Sequence, residues 1–97
     1  PSKPKRVKAR HEDDGYYLTW KAPRGEGWND APYRYVVYCF QPHEPINLDD
    51  PSKIVAMPYE NRLRLNYQGG QTKYVFVVTA LDRMSNESSG KKKKVKL

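Results

Sequence analysis

The chain has 97 residues and a formal net charge of +7, from 18 Lys and Arg against 11 Asp and Glu. This length builds one small domain that buries roughly two-thirds of its unfolded surface, which excludes a large multi-domain enzyme. Cys39 is the single cysteine, so there is no internal disulfide, and with His11 and His43 it cannot complete a four-ligand zinc finger.

The apolar residues recur with a period of two, the pattern of half-buried strands. A short run at residues 7–9 comes first. Tyr16, Leu18 and Trp20 then alternate with Tyr17 and Thr19, and Tyr35, Val37 and Cys39 alternate with Val36 and Tyr38. Brief runs follow at 54–56 and 63–65. Tyr74, Phe76, Val78 and Ala80 then alternate with Val75, Val77 and Thr79, and a last run covers 95–97. These runs are rich in β-branched and aromatic residues, which suit a pleated surface.

Turn chemistry separates the runs. Asp13-Asp14-Gly15 divides the first two, and residues 23–32 form a long loop holding Pro23, Gly25, Gly27 and Pro32. Pro42, Pro45 and Pro51 interrupt 41–52, Gly69-Gly70 precedes the Tyr74 run, and Ser85-Asn86 turns the chain near its end. The longest apolar stretch, residues 75–78, is far short of the ~20 residues of a helical membrane span. The expected fold is all-β: a seven-stranded antiparallel β-sandwich, one domain over residues 1–97. Its inner faces are expected to carry Tyr16, Leu18, Trp20, Tyr35, Val37, Leu63, Leu65, Tyr74, Phe76, Val78 and Ala80, with Cys39 at the same parity. The Tyr74 hydroxyl is expected to bond back to the preceding connection. The chain starts at Pro1 without a signal peptide, so it is expected to be a module of a longer protein.

The order Pro4-x-x-Val7, Leu18-x-Trp20-x-x-Pro23, Tyr35-x-Val37-x-Cys39, Leu63-x-Leu65 and Tyr74-x-Phe76-x-Val78-x-Ala80-x-Asp82, with Ser88 beyond, resembles a fibronectin type III domain over nearly the whole chain. The resemblance implies an immunoglobulin-like sandwich of seven strands in two sheets, without a disulfide. The segment between Leu65 and Tyr74 is longer than the family's usual connection. The run over residues 74–88 looks like the modules at the C-terminal ends of bacterial glycoside-hydrolase-like proteins. That likeness implies a noncatalytic accessory or spacer module, extracytoplasmic, whose partner is a neighbouring domain of the parent chain.

Catalytic chemistry is not expected. His11 and His43 read as solvated loop histidines without an oriented partner, and the serines lack a Gly-x-Ser-x-Gly context. No cofactor or metal is expected, because Asp13-Asp14 and Asp49-Asp50 read as turn formers rather than calcium ligands. Family members that bind integrins use Arg-Gly-Asp before the last strand. Here that loop reads Arg83-Met84-Ser85-Asn86, so integrin binding is excluded. Asn86-Glu87-Ser88 has the form of an N-glycosylation sequon.

Two binding surfaces remain. Sugar rings stack on flat aromatic faces, so a carbohydrate-binding alternative would use Trp28, with Tyr33 and Tyr59 in loops and Tyr17 and Tyr38 at outward parity. The other alternative is a basic module for acidic polymers. Five basic residues lie in the first ten positions and Lys91, Lys92, Lys93, Lys94 and Lys96 in the last seven, while residues 11–90 hold the other eight basic and all eleven acidic ones. In the resembled fold the first and last strands are edges on one side, so these residues would form a positive margin that resists strand-to-strand association and keeps the domain monomeric. Contact with a polysaccharide or membrane surface is the alternative role. Nucleic acid is not expected, because a gripping protein carries its charge on a folded face, and here the charge sits in terminal segments.

Overall fold

The computed structural model describes residues 1–23 and 31–97. Among them are seven strands: β1 (Lys5–Glu12), β2 (Gly15–Lys21), β3 (Arg34–Phe40), β4 (Ile54–Ala56), β5 (Arg62–Leu65), β6 (Lys73–Leu81) and β7 (Lys91–Lys96). One 3-10 turn, Pro51–Lys53, precedes β4. The alternating runs all fall on strands, with one extension. The last strand begins at Lys91, so the lysine run is sheet rather than tail. A run of lysines hides its period, and what orders it is the backbone of β6, against which Val75 pairs with Lys94 and Val77 with Lys92.

The strands form two antiparallel sheets, in the order β1-β2-β5 and β4-β3-β6-β7, packed as a β-sandwich. The inner faces bury Val7, Leu18, Trp20, Tyr35, Val37, Leu65, Phe76, Val78, Ala80 and Val95, with Tyr16, Cys39, Leu63 and Tyr74 packed against them. Every residue expected to point inward belongs to this cluster. Trp20 stands edge-on to Tyr35 at 5.3 Å between ring centroids. Its buried indole N–H has no hydrogen-bond partner among the described residues. The hydroxyl of Tyr74 likewise engages none of the described hydrogen bonds, so the expected back-bond is not formed. Instead the long 66–72 connection closes on the chain end, where the Leu97 carbonyl accepts from the Gln68 and Gly70 N–H groups at 2.8 and 3.0 Å. Gly69 and Gly70 make that turn at φ +94° and +80°, a region that favours glycine.

A second apolar cluster lies on the outer face of the four-stranded sheet. Val36, Tyr38, Phe40, Val75 and Val77 are buried there against Leu48, Ile54 and Leu81. The 41–53 connection supplies this cover. Its shape is held by Glu44, which accepts from the Gln41 N–H at 2.7 Å and pairs with Lys53 at 2.9 Å. Asp50 caps the 3-10 turn through the Ser52 N–H at 3.0 Å, so this aspartate is a turn former. Burial, with a smaller push from the Glu44 charge, raises the pKa of the half-buried Cys39 thiol, which keeps it protonated.

β1 and β7 touch along one side of the sandwich, as the edges of opposite sheets. β1 is irregular there: its register shifts between Lys5 and Lys8, and Arg6 adopts φ +53°. A bulge and a row of lysines both discourage a further strand from adding to an edge. The registers also separate the chain ends. Lys5 faces Lys21, whereas Lys96 faces Lys73. The 58–61 connection bonds both Trp20 and Tyr35, so β1 begins at the end where β2 finishes and β3 starts. β7 finishes at the opposite end.

Two substitutions test this packing. Trp20→Ala removes a large inner side chain and should cost ~3–5 kcal/mol. At Gly90 an added Cβ would sit 2.3 Å from Val77 Cγ1 and 3.5 Å from Leu48 Cδ1, so Gly90→Ala should cost about 1–3 kcal/mol by overpacking the outer cluster. Urea denaturation of each variant reads both values.

Candidate interaction surfaces at the sandwich end and edges

The β6–β7 loop is built around Asp82. Its carboxylate accepts from the N–H groups of Met84 and Asn86, both at 2.9 Å, and from the Asn86 side-chain amide at 3.1 Å. The Asp82 N–H bonds the Asn86 carbonyl and the Ser85 N–H the Asp82 carbonyl, both at 3.1 Å, and Ser85 takes φ +64° to close the turn. These donors, the Asn86 N–H foremost, hold the Asp82 carboxyl below its ordinary value of 3.8. The loop therefore presents Arg83 and Met84 on a fixed frame, with Met84 75% exposed.

Facing this tip is the start of β3. Tyr33 is tied to β6 by its N–H on the Leu81 carbonyl at 2.7 Å, and the Arg83 guanidinium lies 5.2 Å from its ring centre. Arg34 reaches across to the 57–61 connection, donating from Nε to the Met57 carbonyl at 3.1 Å, with a second bond from Nη2. The same guanidinium stacks 4.3 Å from the Tyr59 ring centre. Tyr33 and Tyr59 meet edge to face, 5.6 Å apart at an interplanar angle of 85°. Tyr33, Tyr59, Met57 and Met84 are all exposed. Three connections thus bring the exposed Tyr33, Tyr59, Met57 and Met84 to the end where β1 begins, with Arg34 and Arg83 against the two rings.

The sequence-expected residues do not converge on one site. Tyr33 sits in this patch, and Trp28 lies outside the described residues. Tyr17 and Tyr38 were expected as exposed rings, and here the expectation is corrected. Tyr38 does point outward, but the 41–53 connection covers it to 2% exposure, and its hydroxyl donates to Glu87 at 2.5 Å. Burial, aided by that carboxylate, raises the Tyr38 pKa, so the phenol stays neutral. Tyr17 is on the outer face of the three-stranded sheet at 7% exposure, under the Arg62 guanidinium at 3.9 Å, with its hydroxyl on Asp14 at 2.8 Å. His11 lies in a strand rather than a turn, its ring 4.3 Å from Tyr16 and 4.7 Å from Tyr67.

The lysines of β7 are divided by the pleat. Lys92 and Lys94 share the outer face with Val77 and Val75, while Lys91 and Lys93 pair with Val78 and Phe76 at inward parity. All of them and Lys96 are exposed. Ser88 is buried beneath the loop, where its hydroxyl accepts from the Ala80 N–H at 2.9 Å and donates to the Ser89 carbonyl at 2.7 Å. In the folded chain, the hydroxyl of the glycosylation sequon is thus committed to the fold. Arg34 and Arg83 were not anticipated as parts of a surface. Arg34 borders Tyr33 in the sequence, but Arg83 lies between Asp82 and Met84 and carries no such signal; the contact depends on three separate connections meeting.

The Asp82 frame has a pH signature. A carboxyl whose folded value is depressed adds stability that is complete above its unfolded value and is lost as pH falls through the folded value. Asp14, Glu44 and Asp50 are depressed as well, by bonds from Tyr17, Gln41 and Ser52. Stability should therefore fall progressively below about pH 4, and Asp82→Asn should be less stable at neutral pH with a shallower acid loss. Urea midpoints measured from neutral to strongly acidic pH decide this, and parallel curves for the two proteins would remove the role given to Asp82. A scan of the chain against protein-family models finds no match, and a search of curated proteins finds none.

Proposed function

We propose that the chain is a fibronectin type III-like module, noncatalytic, that spaces and seats a neighbouring domain within a larger exported glycan-processing protein of bacterial type. The observation that carries this reading is the exposed patch of Tyr33, Tyr59, Met57 and Met84 at the end where β1 begins. Chain entering at β1 and leaving after β7 would depart from opposite ends, the arrangement of a link in a string of domains. A preceding domain would then abut this patch. Aromatic and methionine side chains are the types enriched where protein surfaces meet, and flanking arginines suit the polar rim of such a contact.

The strand order β1-β2-β5 and β4-β3-β6-β7 supports the fibronectin type III likeness, as does the absence of a disulfide in a chain with one cysteine. The carbohydrate-binding alternative is less well supported. A sugar platform wants coplanar rings, and Tyr33 and Tyr59 stand at 85° to each other.

Replacing Tyr59 and Met84 together (Tyr59→Ala, Met84→Ser) in the parent protein should speed protease cleavage at the preceding domain junction several-fold. The melting of the isolated module should hardly change, since both side chains are exposed. Unchanged cleavage would overturn the seating role. Saturable chemical-shift changes at Tyr33 and Tyr59 on adding a neutral oligosaccharide would transfer the patch to sugar binding.

A further inference from the structure

We propose that the outer face of the three-stranded sheet binds a linear acidic polysaccharide, whose carboxylate or sulfate groups lie over cations of β1, β2 and β5. The face is distinct from the end patch and from the lysines of β7. The register makes it. Lys8, Thr19 and Arg62 form one row across the sheet, Arg10, Tyr17 and Arg64 the next, and Lys21 follows Thr19 on the same side of β2. Arg6, Lys8, Arg10, Lys21, Arg62 and Arg64 are all exposed. The first four line a shallow groove of about 390 Å³ together with Thr19. Neighbouring strands lie about 4.8 Å apart and alternate residues about 7 Å apart, so the cations form a grid over which an extended chain with regularly repeated charges can lie.

Two carboxylates, Glu12 and Asp14, engage side chains of these rows. Asp14 is engaged by the Tyr17 hydroxyl. Glu12 sits between two arginines, 3.8 Å from Arg10 Nε and 3.2 Å from Arg62 Nη2. It restrains both guanidinium groups without matching the number of cations. Stacking on Tyr17 fixes Arg62 further. Arginines held in place before binding lose less freedom when they take an anionic group, two of whose oxygens a guanidinium can grip at once.

The same features discriminate among polyanions. Single-stranded nucleic acid is held by bases stacked on open aromatic faces, and among the described residues of these rows the ring, Tyr17, is already covered by Arg62. A membrane surface is held by apolar side chains that enter it, and these rows present none. Charge complementarity without stacking or insertion is what an acidic polysaccharide requires.

The test is binding of the 97-residue chain to heparin and to polygalacturonate, with neutral dextran and a single-stranded DNA of similar charge as comparisons. Binding to either acidic polysaccharide at about 0.1 M salt, weakening with added salt, is expected, and the preferred one identifies sulfate or carboxylate as the recognised group. Lys8→Glu with Arg10→Glu should weaken binding at least about tenfold. Lys92→Glu with Lys94→Glu, an equal change in net charge on the other sheet, should weaken it less than about threefold. The milder pair Lys8→Gln and Lys21→Gln, at exposed positions, should still lower affinity about threefold or more with an unchanged circular dichroism spectrum. Equal losses from the two glutamate pairs would overturn the proposal, as would no binding to either polysaccharide or equally tight binding of the DNA. None of these results bears on the end patch, whose readouts are at Tyr33 and Tyr59.

Discussion

Strand β6 is the element on which the rest of the molecule depends, because it is buried on both faces. Val75, Phe76, Val77, Val78, Thr79 and Ala80 are all removed from solvent in succession. Phe76, Val78 and Ala80 enter the core between the sheets, and Val75 and Val77 enter the cluster beneath the 41–53 connection. Burying a large apolar side chain is worth about 1.5–3 kcal/mol, and the neighbouring β3, also buried on both faces, adds Tyr35, Val36, Val37, Tyr38 and Phe40 to the same two clusters. A strand in this position must be paired on both sides, since an unsatisfied buried backbone group costs about as much as a side chain gains. β3 and β7 supply those partners.

That requirement explains how a segment made almost wholly of lysine comes to be a strand. Its backbone completes the hydrogen bonding of β6, Val95 supplies the single buried side chain, and the exposed ammonium groups remain in water. Charge and pairing are satisfied by different parts of the same residues. β1 does the equivalent on the smaller sheet, where Val7 is buried and its cations face outward. The basic ends of the chain thereby become folded surfaces with defined spacing. This is why their charge is better read by sheet face than by position along the sequence.

The two proposed surfaces arise from different kinds of order. The end patch depends on loops, each tied by its own hydrogen bonds: Asp82 within the β6–β7 turn, Arg34 onto the Met57 carbonyl, and Tyr33 onto β6. The basic face depends on sheet register, where a slip of one residue would send Lys8 and Arg10 inward and Ala9 outward. Both are held by interactions distinct from those that form the core. Ligand or partner contact can therefore be altered there while β6 and its neighbours stay intact.

The amino-acid sequence by itself determined the strand class, the seven apolar runs and the inner face of the sandwich. A period of two separates the sides of a strand whatever lies opposite, so Leu18, Trp20, Val37 and Phe76 were assignable without knowing any partner. The same parity marked Tyr17 and Tyr38 as outward but not as covered. Cover comes from the connection after β3 folding back over Tyr38 and from an arginine of β5 stacked on Tyr17, and alternation records neither contact. Only the tertiary structure decided that the lysine run pairs with β6, that Tyr33 meets Tyr59, and that Lys8, Arg10, Arg62 and Arg64 share one face. Local alternation records which side a residue takes, while strand order and register decide what it finds there.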